Sequence, residues 1–528
     1  MKTIPLFIFS LYFLNAFGQI NLENTYNDGL ITRVKLENSG EKYYLLDRAT
    51  NQIKLYNANH TLWKTITLIT NQSPLDLTIF HLSETKINAD SNIEIAFSYY
   101  TDNGEIVYNS RIINELGTIL LDVSNASSIE VSEIDGLPIK VLALIDDVNY
   151  STKIYNVPSL TLENTYTGDD YVKRVKLESF GEKYYQLDKM NYIVNLYNAN
   201  HSVWKNINLL PMENIVDLTI NHLSETSINV DNKIEVAYIY YDALLNFEGK
   251  ISNEDGVAIL TIPNVWSINV DEISGLSNKL IAEFLDLSTF AYSSKVYGLS
   301  LFTVEGVYND GIVTRAKLEN SGEKYYLTDK TNKQAKLYNE NHSSWKTINL
   351  PTNSGASLLS ITHLSESVIN EDASLEIAYV TFDSNTNKYE SRIINDIGSS
   401  LLTVDNGLGI YASQIMGFSN KLVVPIDGVS ESSLVYGLPT TLSLQEESLN
   451  KVEFLIYPNP TNHFLTLKSN NTSIKHFVIT SVLGKIVKEV KQTTQSITVD
   501  VSDLNPGTYF IKGQTIDGVI FNHKFIVY

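Results

Sequence analysis

Four sets of side chains recur along this chain at a fixed interval, and together they bound the chemistry open to it. His81, His222 and His363 each open a His-Leu-Ser-Glu run. Three neutral imidazoles brought together could bind zinc or copper, both of which take nitrogen ligands; kept apart, each would be a histidine satisfied by a neighbouring segment. Trp63, Trp204 and Trp345 form the second set. An exposed indole stacks on a sugar face and a buried one packs between strands, and the sequence favours packing. His60, His201 and His342 sit in Asn-x-Asn-His turns, and Asp47, Asp188 and Asp329 end strand-like runs where a carboxylate accepts backbone N–H groups. Both of these sets read as structural.

Beyond them the chain carries little that resembles catalytic machinery. There is no His-Glu-x-x-His, no Gly-x-Ser-x-Gly, no Gly-x-x-x-x-Gly-Lys, no calcium loop of alternating acids and, with no cysteine, no thiol nucleophile. No cofactor is expected. An enzyme is disfavoured, although a glycosidase needs only two carboxylates brought together by the fold, and 60 acidic residues supply many pairs.

The elements that must position these side chains are repeats. Gly-Glu-Lys-Tyr-Tyr begins at Gly40, Gly181 and Gly322, so both steps are 141 residues, and the tryptophans and histidines keep the same register. Within each repeat, strand-like runs fall into units of about 45 to 50 residues, a period that suits a four-stranded propeller blade. The first unit reads as strands over Leu30–Leu36, Lys42–Asp47, Gln52–Asn57 and Leu62–Leu68, with Asn, Ser, Gly and Thr between them. The third unit ends with Leu160–Tyr166, and the counterpart of that strand, Ile20–Tyr26, lies near the N-terminus. It could therefore complete the last blade and close a ring.

The fold expected is thus all-β, a propeller-like array of four-stranded units in three repeats over 19–159, 160–300 and 301–439. Three units in each of three repeats make nine blades, above the usual four to eight. The alternative is three tandem β-sandwiches, which also show short strands at regular spacing.

Charge and composition narrow the partners. A net charge of −21 argues against nucleic acid and anionic lipid. The acidity belongs to the repeats, because 452–528 holds seven Lys against five acids. Lys2, the apolar run Ile4–Leu14 and Ala16-Phe17-Gly18 read as a signal peptide over 1–18. No later stretch is long enough for a transmembrane helix. Residues 440–451 read as a polar linker.

After the linker the chemistry changes. Tyr457-Pro458-Asn459-Pro460 opens a new segment, Gly484-Lys485 follows as a hairpin, and Gly507-Thr508-Tyr509-Phe510 leads to the ending Lys524-Phe525-Ile526-Val527-Tyr528. Pro458 and Pro460 remove two backbone donors, while Gly484 and Gly507 permit turns that other residues would strain. This ordered set, over 452–528, resembles the type A C-terminal sorting domain of type IX secretion cargo in Bacteroidota. The resemblance implies a small seven-stranded, immunoglobulin-like sandwich, passage through the periplasm to an outer-membrane translocon, and removal by a sortase-like peptidase. It further implies release from the cell or attachment to surface lipopolysaccharide.

The expected function is a secreted or cell-surface binding and adhesion module of unknown ligand, with a glycan or a protein as the candidates and a purely structural surface-layer role as a further reading. The alternative is a secreted glycan-active hydrolase with a propeller-like catalytic domain.

Overall fold

The computed structural model describes residues 20–438 and 454–528, apart from 89, 103, 147–148, 212, 230, 354, 371–373, 429, 470–472, 482–484, 492 and 517–519. The signal segment, the linker and Gly484 therefore lie outside the described residues. The chain divides into two compact units, 1–441 and 442–528.

Among its described residues the larger unit forms nine antiparallel four-stranded sheets, and no helix. Blade 1 comprises Ile31–Leu36, Gly40–Asp47, Gln52–Asn57 and Leu62–Thr67 in sequence order. Short strands form here because β-branched and aromatic residues alternate with polar ones. Tight turns end them. Gly40, Gly181 and Gly322 stand at φ +71°, +68° and +73° at the start of the second strand in blades 1, 4 and 7, a left-handed backbone that favours glycine.

Blade 9 is closed as the sequence suggests. Its first three strands, Tyr411–Ser413, Lys421–Ile426 and Ser432–Gly437, come from the end of the array, and Asn21–Tyr26 supplies the fourth, paired antiparallel to Ser432–Gly437. A separate apolar cluster joins each sheet to the next, including Tyr26, Ile31, Tyr43, Leu45 and Val435 between blades 9 and 1. The ring of nine is thus complete, and three separate sandwiches are not what this chain forms. The count exceeds the usual range, and the pairing shows that all nine units are true blades. The first strands of blades 2 and 3, 5 and 6, and 8 and 9 touch, as Asp76–Ser83 does with Ala126–Ser132, which places these strands on the inner side.

The smaller unit is a sandwich of two sheets. Phe454–Tyr457, Phe464–Ser469 and Ser496–Asp500 make one; Ile486–Val490, Ile474–Ser481, Gly507–Thr515 and Ile520–Val527 make the other, in that spatial order. Leu465, Leu467, Phe477, Ile511 and Phe525 fill the space between them.

Candidate functional site

The repeated side chains serve mainly to fasten blade to blade. His60, His201 and His342 adopt left-handed backbone at φ 64°, 64° and 62° in the turn before each fourth strand. That turn aims the ring at the preceding blade. Nδ1 of each meets the hydroxyl of Tyr26, Tyr166 or Tyr308 at 2.8, 2.8 and 2.7 Å, and each tyrosine lies on the fourth strand of blade 9, 3 or 6. Burial pushes the imidazoles of His201 and His342 below the ordinary histidine value, against the opposing pull of Glu163 and Glu305.

A second fastener, which matches no catalytic or ligand motif, joins the same blades near their first strands. Arg33 donates to Glu41 at 2.7 Å and to the carbonyls of Ser413 and Ser419 in blade 9, each at 2.7 Å. Arg174 reaches Ser132 and Pro138, and Arg315 reaches Asp271 and Ser277, in the same manner. These arginines are legible as repeated residues, but their partners lie on another blade. The spacing of a single repeat does not reveal them.

His81, His222 and His363 lie on the first strands of blades 2, 5 and 8. Each is accompanied by its own surroundings: Nε2 of His81 is 3.9 Å from Glu133, and that of His222 is 4.0 Å from Glu272. Burial lowers the pKa of all three, while Glu133 and Glu37, Glu272, and Glu319 respectively pull the other way. Among the described residues no group of three or more His, Cys, Asp or Glu side chains is placed to hold a metal ion. Around His81 the inner strands leave an open cavity of about 400 Å³, lined by Lys35, Glu37, Phe80 and Glu133 among others. Its carboxylates are engaged, since Glu37 accepts the backbone N–H of Glu84 at 2.7 Å and Glu133 pairs with Lys86 at 2.6 Å.

Trp63, Trp204 and Trp345 are half-buried on the fourth strands of blades 1, 4 and 7, packed against the cores that join these blades to the next. Two lysine ammoniums approach each indole: Lys42 and Lys64 at 4.7 and 4.5 Å from the ring of Trp63, Lys183 and Lys205 at 4.7 and 5.1 Å from Trp204, and Lys324 and Lys346 at 5.0 and 4.9 Å from Trp345. Asp47, Asp188 and Asp329 cap turns by accepting the N–H of Thr50, Asn191 and Asn332.

One element departs from the threefold pattern. The central hairpin of blade 3 runs from the pair Lys140–Asn156, and that of blade 9 from Lys421–Gly437, whereas in blade 6 it runs from Lys279–Gly298 and is three residues longer. Its strands Lys279–Asp286 and Ala291–Gly298 are accordingly longer. Phe284, Asp286 and Tyr292 of this hairpin, with Asn264 and Asn309 beside them, line a second open cavity of about 390 Å³. Phe290 at the tip is 74% exposed. Hydrogen bonds from the Ser288 side chain and backbone and from Thr289 hold the Asp286 carboxyl down at about 2, so it is a fixed anion and acceptor. The extra length is a change of spacing in the sequence, but its aromatic and acidic residues do not recur and so carry no repeat signal.

In the smaller unit the motif residues pin the start of the domain to its end. Asn459 accepts the N–H of Ile526 at 2.9 Å and donates to the carbonyl of Lys524 at 3.2 Å, between Pro458 and Pro460. Tyr457 pairs with Thr466. The carbonyl of Lys485 accepts from the N–H of Ser481 at 2.9 Å. Tyr509 donates to the carbonyl of Asn505 across Gly507, at 2.9 Å.

Residues 455–528 match the family described as the secretion system C-terminal sorting domain. The chain is therefore a type IX secretion cargo, destined for the cell surface or the extracellular space. The ulvan lyase NLR42 of Nonlabens ulvanivorans is 34% identical over 89 residues, 17% of this chain, and the match spans only 16% of that enzyme. Among solved structures, PorZ, a surface component of the type IX system of Porphyromonas gingivalis, aligns over 97% of this chain and 100% of its own at 10% identity and TM-score 0.22. The Dos1 propeller aligns over 80% and 96% at 9% identity and TM-score 0.37. The nine-bladed architecture rests on the strand pairing rather than on these alignments.

Proposed function

We propose that the nine-bladed ring is an exported binding module for a polysaccharide, held on the lengthened hairpin of blade 6. The observation that carries this reading is the break in symmetry. A triplicated scaffold needs each repeated residue for its blade contacts, so a feature present once is free to serve a ligand, and loops at the rim of a rigid β scaffold are where binding concentrates. The chemistry there suits sugars: Phe284 and Tyr292 offer ring faces, and Asn264, Asn309 and Asp286 offer hydrogen-bonding groups. A hydrolase would need a carboxyl held protonated beside a second one. Among the described residues lining the cavity Asp286 is the single acid, which favours binding over cleavage.

The test uses the full chain on an array of bacterial and algal polysaccharides. The double variant F290A/Y292A should lose at least tenfold in retention while melting with the parent, because both side chains are substantially exposed. Retention unchanged in that variant, or release of reducing ends by the parent, would displace the proposal.

A further inference from the structure

A buried acid in blade 2 has no role in the fold described so far. Glu94 begins the second strand and is completely buried, and beyond the approach of the Asn88 and Asp90 side chains neither carboxyl oxygen has a hydrogen-bond partner. An uncompensated buried carboxylate is costly, so a side chain kept in this position calls for a counterpart. Glu94 faces Asn88 and Asp90 in the preceding loop, and the proximity of Asp90, added to burial, raises its pKa to about 8.

Two side-chain-to-backbone hydrogen bonds fix the described residues that precede that carboxyl. Asn88 Oδ1 accepts the N–H of Asp90 at 2.9 Å, and Asp90 Oδ1 accepts that of Asn92 at 2.8 Å. Asn88, Asp90, Asn92 and Glu94 thus follow one another at every second residue, with oxygen donors throughout, and Asp90 is exposed where an ion would enter. Hard divalent cations of calcium size take six to eight oxygen ligands from mixed carboxylates, amides and backbone carbonyls. A search for alternating acids overlooks this loop because amides occupy two of its four positions.

We propose that Asn88, Asp90, Asn92 and Glu94 hold one calcium ion, with Glu94 as its buried carboxylate ligand. Blade 5 carries a weaker copy. There Glu235 is equally buried, and again only the side chains of Asn229 and Asp231 approach its carboxyl oxygens. Lys233 stands where blade 2 has Asn92, and its ammonium pairs with Asp255 at 2.6 Å. The rival explanation is that Glu94 is simply a protonated acid beside Asp90, needing no ion.

The full chain is stripped with EDTA, dialysed into metal-free buffer and titrated with calcium by calorimetry, with melting followed in parallel. Calcium should bind with at least one equivalent and raise the melting temperature, as a ligand of the folded state alone must. E94Q should remove one equivalent, and D90N, at an exposed position that does not threaten folding, should weaken that equivalent at least tenfold. Magnesium, which demands tighter octahedral geometry, should bind less well. No calcium heat with an unchanged melting temperature overturns the proposal, and so does calcium binding that both E94Q and D90N leave intact. Should E94Q fail to fold, D90N alone decides.

Discussion

Tryptophan and histidine play their parts here by packing and by refusing protons. Each of Trp63, Trp204 and Trp345 packs on a core cluster while two lysines cover its faces, so truncation leaves a gap and strips the lysine stems of their platform. W63A should cost about 3 kcal/mol, the lower end for a large aromatic because the ring is only half-buried. Denaturant unfolding of the full chain reads this directly, and a parent-like midpoint would show the indole to be dispensable for packing. The inner histidines make a different prediction. Burial holds His81, His222 and His363 below the ordinary value of 6.5 in the folded chain, with Glu133, Glu37 and Lys86 around the first, Glu272 near the second and Glu319 near the third. The unfolded chain takes up protons at these sites first, so their contribution is present above about 6.5 and is lost as pH falls towards the depressed values. Relative to H81Q/H222Q/H363Q, the parent should therefore lose melting temperature between pH 7 and pH 5. A constant gap between the two profiles would mean that these rings titrate normally.

Strands and their order were largely legible. In blade 1 the sequence reading of Gln52–Asn57 coincides with the strand formed, and Leu62–Leu68 differs from Leu62–Thr67 by one residue. The reason is local: alternation and turn residues fix a strand within its own few positions. Ring closure was also legible, because Leu160–Tyr166 and Ile20–Tyr26 are copies of one strand and only one of them follows a third unit. What was not legible lies between blades. The Tyr26–His60 bond joins two residues that the sequence shows separately, one in a strand and one in a turn, and nothing in their 34-residue separation says that they meet. Glu84 is a similar case, since it accepts from the N–H groups of Asn38 at 2.6 Å and Ser39 at 2.8 Å and so clasps blade 2 to blade 1. In the His-Leu-Ser-Glu run the histidine is the residue with evident chemistry, while the glutamate makes the contact between blades. Likewise the hairpin of blade 6 and the loop of Glu94 fall outside a search for recurring or strictly acidic motifs. One differs from its copies, and the other mixes amides with acids.

The whole ring behaves as one object because its seams do not coincide with its sequence repeats. A repeat of 141 residues starting at 160 begins with Leu162–Gly168, which is the fourth strand of blade 3, and stops before Thr303–Tyr308, the fourth strand of blade 6. The cut piece therefore carries one stray strand, two whole blades and one blade lacking its edge. It also exposes the apolar faces that normally meet at the junctions of blades 3 with 4 and 6 with 7, including Tyr184 and Val172 on one side and Val296 and Ile281 on the other. A repeat array that is open at both ends loses two interface terms at once, whereas a closed ring has no ends to fray. Residues 160–300 expressed alone should accordingly show no cooperative transition at the melting temperature of the complete ring, and should aggregate through the bared faces. Restoring the missing edge by extending the fragment to Asp310 should improve folding without matching the parent, because blade completion repairs one sheet but leaves both junctions open. A fragment of 160–300 that melts cooperatively at the parent temperature would mean that each repeat is self-sufficient and that the contacts of Arg33 and Tyr26 with their neighbouring blades add little.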